Sequence, residues 1–521
     1  EWSQDGTKLL VSGPVAQEKQ AIWMISVIGA TLKKLRDDAH DAGLSPDGSQ
    51  IVFNDAITHG LETMNSDGGQ ARVLLKSEPG YHLFAPTWFA GGKRIAYIKY
   101  RVANGETTQV LESRDANGGD PVTLLSNPRM TDFFLGQNGR LIYAVSEPQP
   151  NQYDSNIWEQ WFDPQTGAPK GTPRRLTDWT GFYFVNEELT ADGKRFVFLD
   201  RKGQSDVYLA ELTNNGSELK APQRLTLDER LDWPGGWSLD GKTVFLYSDR
   251  NGNFDIYKQG VDDRNADPIV TGPEEKWAPQ ISPDGKWVLY MQWPKAASGP
   301  AADSGKLMRA PLSGGPPEVV MDIKGRPGSS SSSDPLDTVG GYPSFRCPMR
   351  ASTTCVVAET SDTEANEPGA NGKNKQIVFT SFDPAQGRKA ELAKLPANPE
   401  LARWDLSPDG TRVAISTFDY KAAEVQIIPL AGGTPQKFSV MPWTELVAVA
   451  WAADGKSLFL ASFSSRGTSI IRSELAGEPK LMFKSSWDIF SLDPSPDGHY
   501  LGFGPVIYNS NAWTIPSFPE K

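Results

Sequence analysis

The chain is poor in cysteine, with 2 in 521 residues, and poor in histidine, with 4. It also lacks a basic excess. Lys plus Arg is 52 and Asp plus Glu is 64, so the formal charge is 52 − 64 = −12. The acidic balance argues against a nucleic-acid partner, which demands a net basic face. It equally disfavours docking to an anionic membrane. No apolar run approaches the ~20 residues that span a bilayer, so membrane insertion by this chain is not expected. The histidines, His40, His59, His82 and His499, form no metal-protease spacing. No Gly-x-Ser-x-Gly elbow and no Gly-x-x-x-x-Gly-Lys phosphate loop occurs. No hydrolase or kinase motif is therefore present, and the expectation is a chain that is not an enzyme and needs no cofactor.

Glycine (49) and proline (40) are abundant, and 10% of residues are aromatic, 16 of them Trp. Such a chain makes many turns between short strands. One module recurs: Trp/Leu-Ser-x-Asp-Gly-Lys, then an alternating apolar stretch. Examples are EWSQDGTKLLV at Glu1, LSPDGSQIVF at Leu44, WSLDGKTVFLY at Trp237, ISPDGKWVLYM at Ile281 and PSPDGHYLGFG at Pro494. The steps between turns are roughly 42–54 residues, the size of one four-stranded propeller blade. Within a module, Asp bonds into the turn and Gly takes its positive-φ position. The alternation then gives each sheet two faces that only neighbouring sheets can cover. Ten modules show the pattern. FRCPMRASTTCVVAET at Phe345 supplies a degenerate eleventh without Asp-Gly.

The expected fold is all-β: tandem β-propellers of four-stranded antiparallel blades, about eleven in number. Eleven exceeds the usual 4–8 blades of one ring. The expected division is 1–221, a first propeller with five visible blades and one missing upstream, and 222–521, a second with six. The second holds the degenerate blade and a Ser/Gly/Pro insertion near 322–400. A boundary near Lys324 competes. The last module ends at a third strand, NAWTIPSF, and QRLTL at Gln223 is expected to close its sheet. The start at Glu1, inside a module and without Met, reads as a processed protein or a domain of a longer one.

Ser-Pro-Asp-Gly-Lys followed by an alternating strand and Asp-Ile-Tyr resembles the TolB-type, WD-repeat-like propeller repeat over nearly the whole chain. Longer segments resemble a narrower group. They include IWMISVIGATLKKLRDDA at Ile22, RLTLDERLDWPGGWSLD at Arg224 and DRNGNFDIYKQ at Asp249. That group is the extracytoplasmic propeller of acidobacterial membrane-anchored serine/threonine kinases and related regulators. The resemblance implies a non-catalytic sensor domain, periplasmic or at the cell surface, tethered by a membrane helix outside this chain. Two alternatives stay open. One is a stand-alone periplasmic or secreted TolB-like scaffold. The other is a polysaccharide-acting lyase or glycosidase.

Candidate sites follow from the connections between modules, which gather on one face of a propeller. They carry Trp179, Tyr183, Glu229, Arg230, Trp233, Glu275, Trp277, Trp443 and Trp487. Aromatics with a few acids suit a protein, peptide or carbohydrate partner, although the same tryptophans could instead plug gaps between blades. Cys347 and Cys355 fall in two halves of one hairpin and are expected to form a disulfide, with two free buried thiols as the alternative; a disulfide implies an oxidising compartment. Asp249, Asn251, Asn253 and Asp255 alternate as a calcium loop begins, but Gly260 stands where an EF-hand needs Glu. Calcium is thus a weak candidate beside a plain polar turn, and no other metal is expected.

Overall fold

The computed structural model describes the chain except residues 4, 14–19, 30, 79–80, 90, 104–105, 137, 149–150, 152–153, 191–193, 295–303, 325–341, 350–353, 363–374, 398–401, 418–422, 465, 476–477 and 517–521. Most of the Ser/Gly/Pro insertion and of the polar stretch after Ser361 lie outside the described residues. Among the described residues there is no helix, hence none long and apolar enough to cross a membrane. The strands form eleven antiparallel sheets, and these are the blades of β-propellers.

By contacts the chain divides into two units, Glu1–Lys202 with Asn509–Lys521, and Gly203–Tyr508. The boundary thus falls earlier than 221/222, and the first unit takes back the end of the chain. The reason is which strands pair. VYLAEL at Val207, by its place in the chain the third strand after LTADGKRFVFL at Leu189, pairs as Tyr208–Thr213 with Tyr500–Phe503 of the last module. Gln223–Arg224 then adds to Tyr208–Thr213, so QRLT does flank the last sheet. The C-terminal strand Pro505–Pro516, expected as that sheet's third strand, instead neighbours Arg195–Ser205.

In the first unit, blade one pairs Lys8–Gly13, Ala21–Ser26 and Leu32–Asp37, and Trp2 bridges Leu9 on its inner side. Blades two, three and four begin with inner strands Ala39–Leu44, His82–Trp88 and Met130–Leu135, and blade five with Phe184–Leu189. In the second unit, the inner strands of blades six to ten are Asp232–Trp237, Glu275–Ile281, Ser344–Arg346, Ala402–Leu406 and Leu446–Trp451. Asp493–Pro494 opens blade eleven.

The second unit's six blades share six apolar cores, one at each junction. Leu209, Trp237 and Leu246 fill the space between blades eleven and six, and Phe245, Ile256 and Tyr290 that between six and seven. Leu307, Phe345 and Phe382 follow, then Phe379, Trp404 and Val413. Val425, Trp451 and Leu460 come next, and Ala448, Phe459 and Leu501 close the ring. Fully burying each such side chain contributes ~1.5–3 kcal/mol. No blade could gain this alone.

The sequence motif has a repeated physical role. The turn serine's hydroxyl donates to the turn Asp two residues on. The distances are 2.7 Å for Ser3–Asp5, 2.6 Å for Ser45–Asp47 and 2.6 Å for Ser407–Asp409. Where a Trp opens the turn motif, its ring N–H donates to the preceding blade's inner strand. Trp88 reaches the Gly43 carbonyl (3.1 Å), Trp451 that of Asp405 (3.2 Å), and Trp237 that of Asp493 (2.9 Å) across the ring closure. Blade eight's first hairpin lacks the Asp-Gly motif in its sequence, and the disulfide Cys347–Cys355 links its two sides.

Candidate functional site

Inner strands line the middle of a propeller, and here many carry a bulge with one residue at positive φ: Asp41, Ala85, Asn186 and Ala278. A bulge re-aims side chains. Several polar side chains on these strands then serve as latches, accepting a backbone N–H from the next blade. Glu1 accepts from Leu44 (2.8 Å), Asp41 from Ala85 (3.3 Å) and Asp132 from Asn186 (2.6 Å). In the second unit, Gln280 accepts from Cys347 (2.9 Å) and Asp405 from Trp451 (2.7 Å).

Asp493 departs from this use. Its carboxyl makes no hydrogen bond or ion pair among the described residues, although it lies deep in the second unit and keeps some accessible surface. Burial pushes it up to about 6, against the pull of Arg346 and with the repulsion of Asp405. Arg346 itself pairs with Asp405 at 3.1 Å. Burial also raises the Asp405 carboxyl, opposed by Arg346 and by the Trp451 N–H. The Tyr247 phenol feels Asp493 and Arg346 and is raised chiefly by burial. Four blades thus contribute to one polar constellation, Tyr247 from six, Arg346 from eight, Asp405 from nine and Asp493 from eleven. Charges at depth are costly unless solvated or matched. A group left open there is available to a ligand.

The residues expected from sequence are placed elsewhere. Trp233 is 2% exposed and packs on Gly504. Trp277 packs between Phe254 and Trp293, with ring centroids at 5.9 and 6.0 Å. Trp443 lies against the core between blades nine and ten, and Trp487 against Tyr208 at 4.9 Å. These four tryptophans act as wedges. Glu275 accepts the Phe254 N–H at 2.9 Å. Glu229 and Arg230 are exposed on their connection. In the first unit, Trp179 is 37% exposed and rests on Phe182 and Phe184, while the Tyr183 N–H donates to Asp200.

The calcium-like loop closes on itself. Asp255 pairs with the Lys276 ammonium at 2.9 Å, both side chains 2% exposed. Asn253 and Asn251 donate to Asp255, and Asp249 accepts the Leu231 N–H. The cation at this corner is a lysine. Among the described residues no group of three His, Cys, Asp or Glu could hold a metal ion.

Beside it lies a second cluster that the sequence reading overlooked. Arg224 pairs with Asp206 (2.6 Å), and Arg250 with Asp228 and Asp232 (2.9 Å each). Burial raises Asp206 and Asp232 to about 6. A signal for the channel acids did exist: Asp405 and Asp493 each stand two positions before the serine of a Ser-Pro-Asp-Gly turn.

No family model matches the chain. The uncharacterized protein Atu1656 of Agrobacterium fabrum (strain C58) is 27% identical over 284 residues, 52% of this chain and 86% of that protein. Among solved structures, TolB from Acinetobacter baumannii is 16% identical, covering 69% of this chain and 79% of its own, with a TM-score of 0.23. An oligogalacturonate lyase in complex with manganese is 10% identical, covering 97% of this chain and 88% of its own, with a TM-score of 0.25.

Proposed function

We propose that this chain is a non-catalytic recognition module whose ligand, a protein, peptide or carbohydrate, is held in the channel of the second unit. The observation that carries the reading is the Asp493 carboxyl, open and unmatched beside Arg346, Asp405 and Tyr247. The module acts outside the cytoplasm as the sensing part of a membrane-anchored signalling protein. The Cys347–Cys355 disulfide supports an oxidising compartment. A panel of oligosaccharides and peptides, screened by thermal shift on the full chain, is expected to give stabilising ligands whose effect shrinks in Asp493→Asn. Hits that stabilise the variant equally would sink the channel reading. Cys347 and Cys355 found alkylatable without reduction in freshly fractionated cells would remove the compartment.

The same channel favours one second reading, polysaccharide cleavage. Two carboxyls share it, both raised by burial, Asp405 bonded by Arg346 and a backbone N–H and Asp493 without such partners among the described residues, and a held carboxyl beside an open one suits acid–base chemistry. Turnover of an oligosaccharide panel that Asp493→Asn abolishes would replace the recognition reading with this one.

A further inference from the structure

The first unit holds an acid pair, Glu187 buried and Asp132 half-buried, with no cation paired to it among the described residues. Asp132 lies on the inner strand of blade four and Glu187 on that of blade five. Both strands are irregular at these positions, with register breaks at Met130/Asp132 and Val185/Glu188. The Asp132 carboxyl accepts two backbone N–H groups, Phe133 N–H (2.8 Å) and Asn186 N–H (2.6 Å). Glu187 is 4% exposed, and neither of its carboxyl oxygens meets a donor among the described residues. It faces Asp132 closely enough to share a proton with it. Glu188, exposed beside it, adds a third carboxyl, influenced by that of Glu1. Around these acids no Lys or Arg forms an ion pair among the described residues.

We propose that Asp132, Glu187 and Glu188 form a binding site for an organic cation, an alkylammonium or guanidinium group, in the first unit. The geometry points to this class by what it offers and what it omits. One latched carboxylate and one orphan carboxyl supply oxygen acceptors and lack one positive charge. A buried charge requires a partner, and a buried acceptor without a donor forfeits ~1–3 kcal/mol. A divalent metal needs six or more oxygens, and the described residues offer no three-ligand group. An ammonium needs only a few acceptors near 2.8 Å with no fixed polyhedron. On binding, the cation takes the place of the shared proton, which leaves to solvent.

Titration calorimetry on the full chain at pH 7.5 tests this, with butane-1,4-diamine and with trilysine as probes. Saturable binding of either is expected, with about one proton released per cation, read from buffers of different ionisation enthalpy. Glu187→Gln should weaken binding about tenfold or more and remove the proton release. Glu188→Gln, at a more exposed position, should weaken it less. Asp493→Asn should leave it unchanged, which separates this site from the channel reading of the second unit. Binding of the diamine assigns a free amine, and binding of trilysine alone a basic side chain of a partner. Failure of both probes, or equal affinity in Glu187→Gln, would mean the pair carries a shared proton only. Calcium or manganese binding in place of the amines would overturn the ligand class.

Discussion

Where a tryptophan opens the Asp-Gly turn of a module it has two functions, and only one is hydrophobic. Trp451 is fully buried between blades nine and ten, and its ring N–H donates to the Asp405 carbonyl. Trp451→Phe keeps most of the apolar contact and leaves that carbonyl unmet. A loss of ~1–2 kcal/mol is expected from urea unfolding. Trp451→Phe matching wild type would show that the latch is idle. Gly504 makes a complementary case. A Cβ there would lie 3.0 Å from both Trp233 and the Pro234 ring. Gly504→Ala should therefore cost ~1–3 kcal/mol by overpacking, read in the same assay. An unchanged midpoint would mean the Trp233 ring can move aside.

At the scale of elements, the blades were readable because their turns are chemical signatures. Ser-Pro-Asp-Gly fixes a hairpin locally, and the following alternation fixes which face is buried. Pairing between distant strands has no such local mark. Nothing in VYLAEL distinguishes the third strand of its own module from the third strand of a sheet nearly three hundred residues on, and loop-closure cost rises only slowly with length. The wedge tryptophans show a similar limit, since Trp233 and Trp179 stand in alike connections, one buried and one exposed. Blade eight lost its turn signature and gained a covalent one. Its disulfide closes a loop of 8 residues' separation, so a Cys347→Ala, Cys355→Ala double variant should lose about 2–3 kcal/mol. Thermal unfolding of oxidised wild type against the variant measures it. Equal stability would place the bridge outside the folding energetics of the second unit.

Across the whole molecule, pH acts in opposite directions on two kinds of acid. Turn aspartates such as Asp47 are held down to about 2 by the Ser45 hydroxyl and backbone N–H groups. Their contribution is present above ~4 and is lost as pH falls through about 2. Asp206 and Asp232 behave inversely, because burial lifts them to about 6 despite their arginines. An acid raised in the folded chain binds its proton more tightly there. Its contribution is greatest below ~4, and it declines as pH rises through about 6. The second unit should therefore be more stable at pH 5 than at pH 7. Asp232 alone, its side chain fully enclosed, corresponds to about 1 kcal/mol between pH 5 and pH 7. Asp232→Asn keeps an acceptor for Arg250 and cannot ionise, so its urea midpoint should vary less between pH 5 and 7. Asp206→Asn should act likewise through Arg224. A wild-type midpoint that rises toward pH 7, or variants that keep the wild-type slope, would show that the arginines outweigh burial in this cluster.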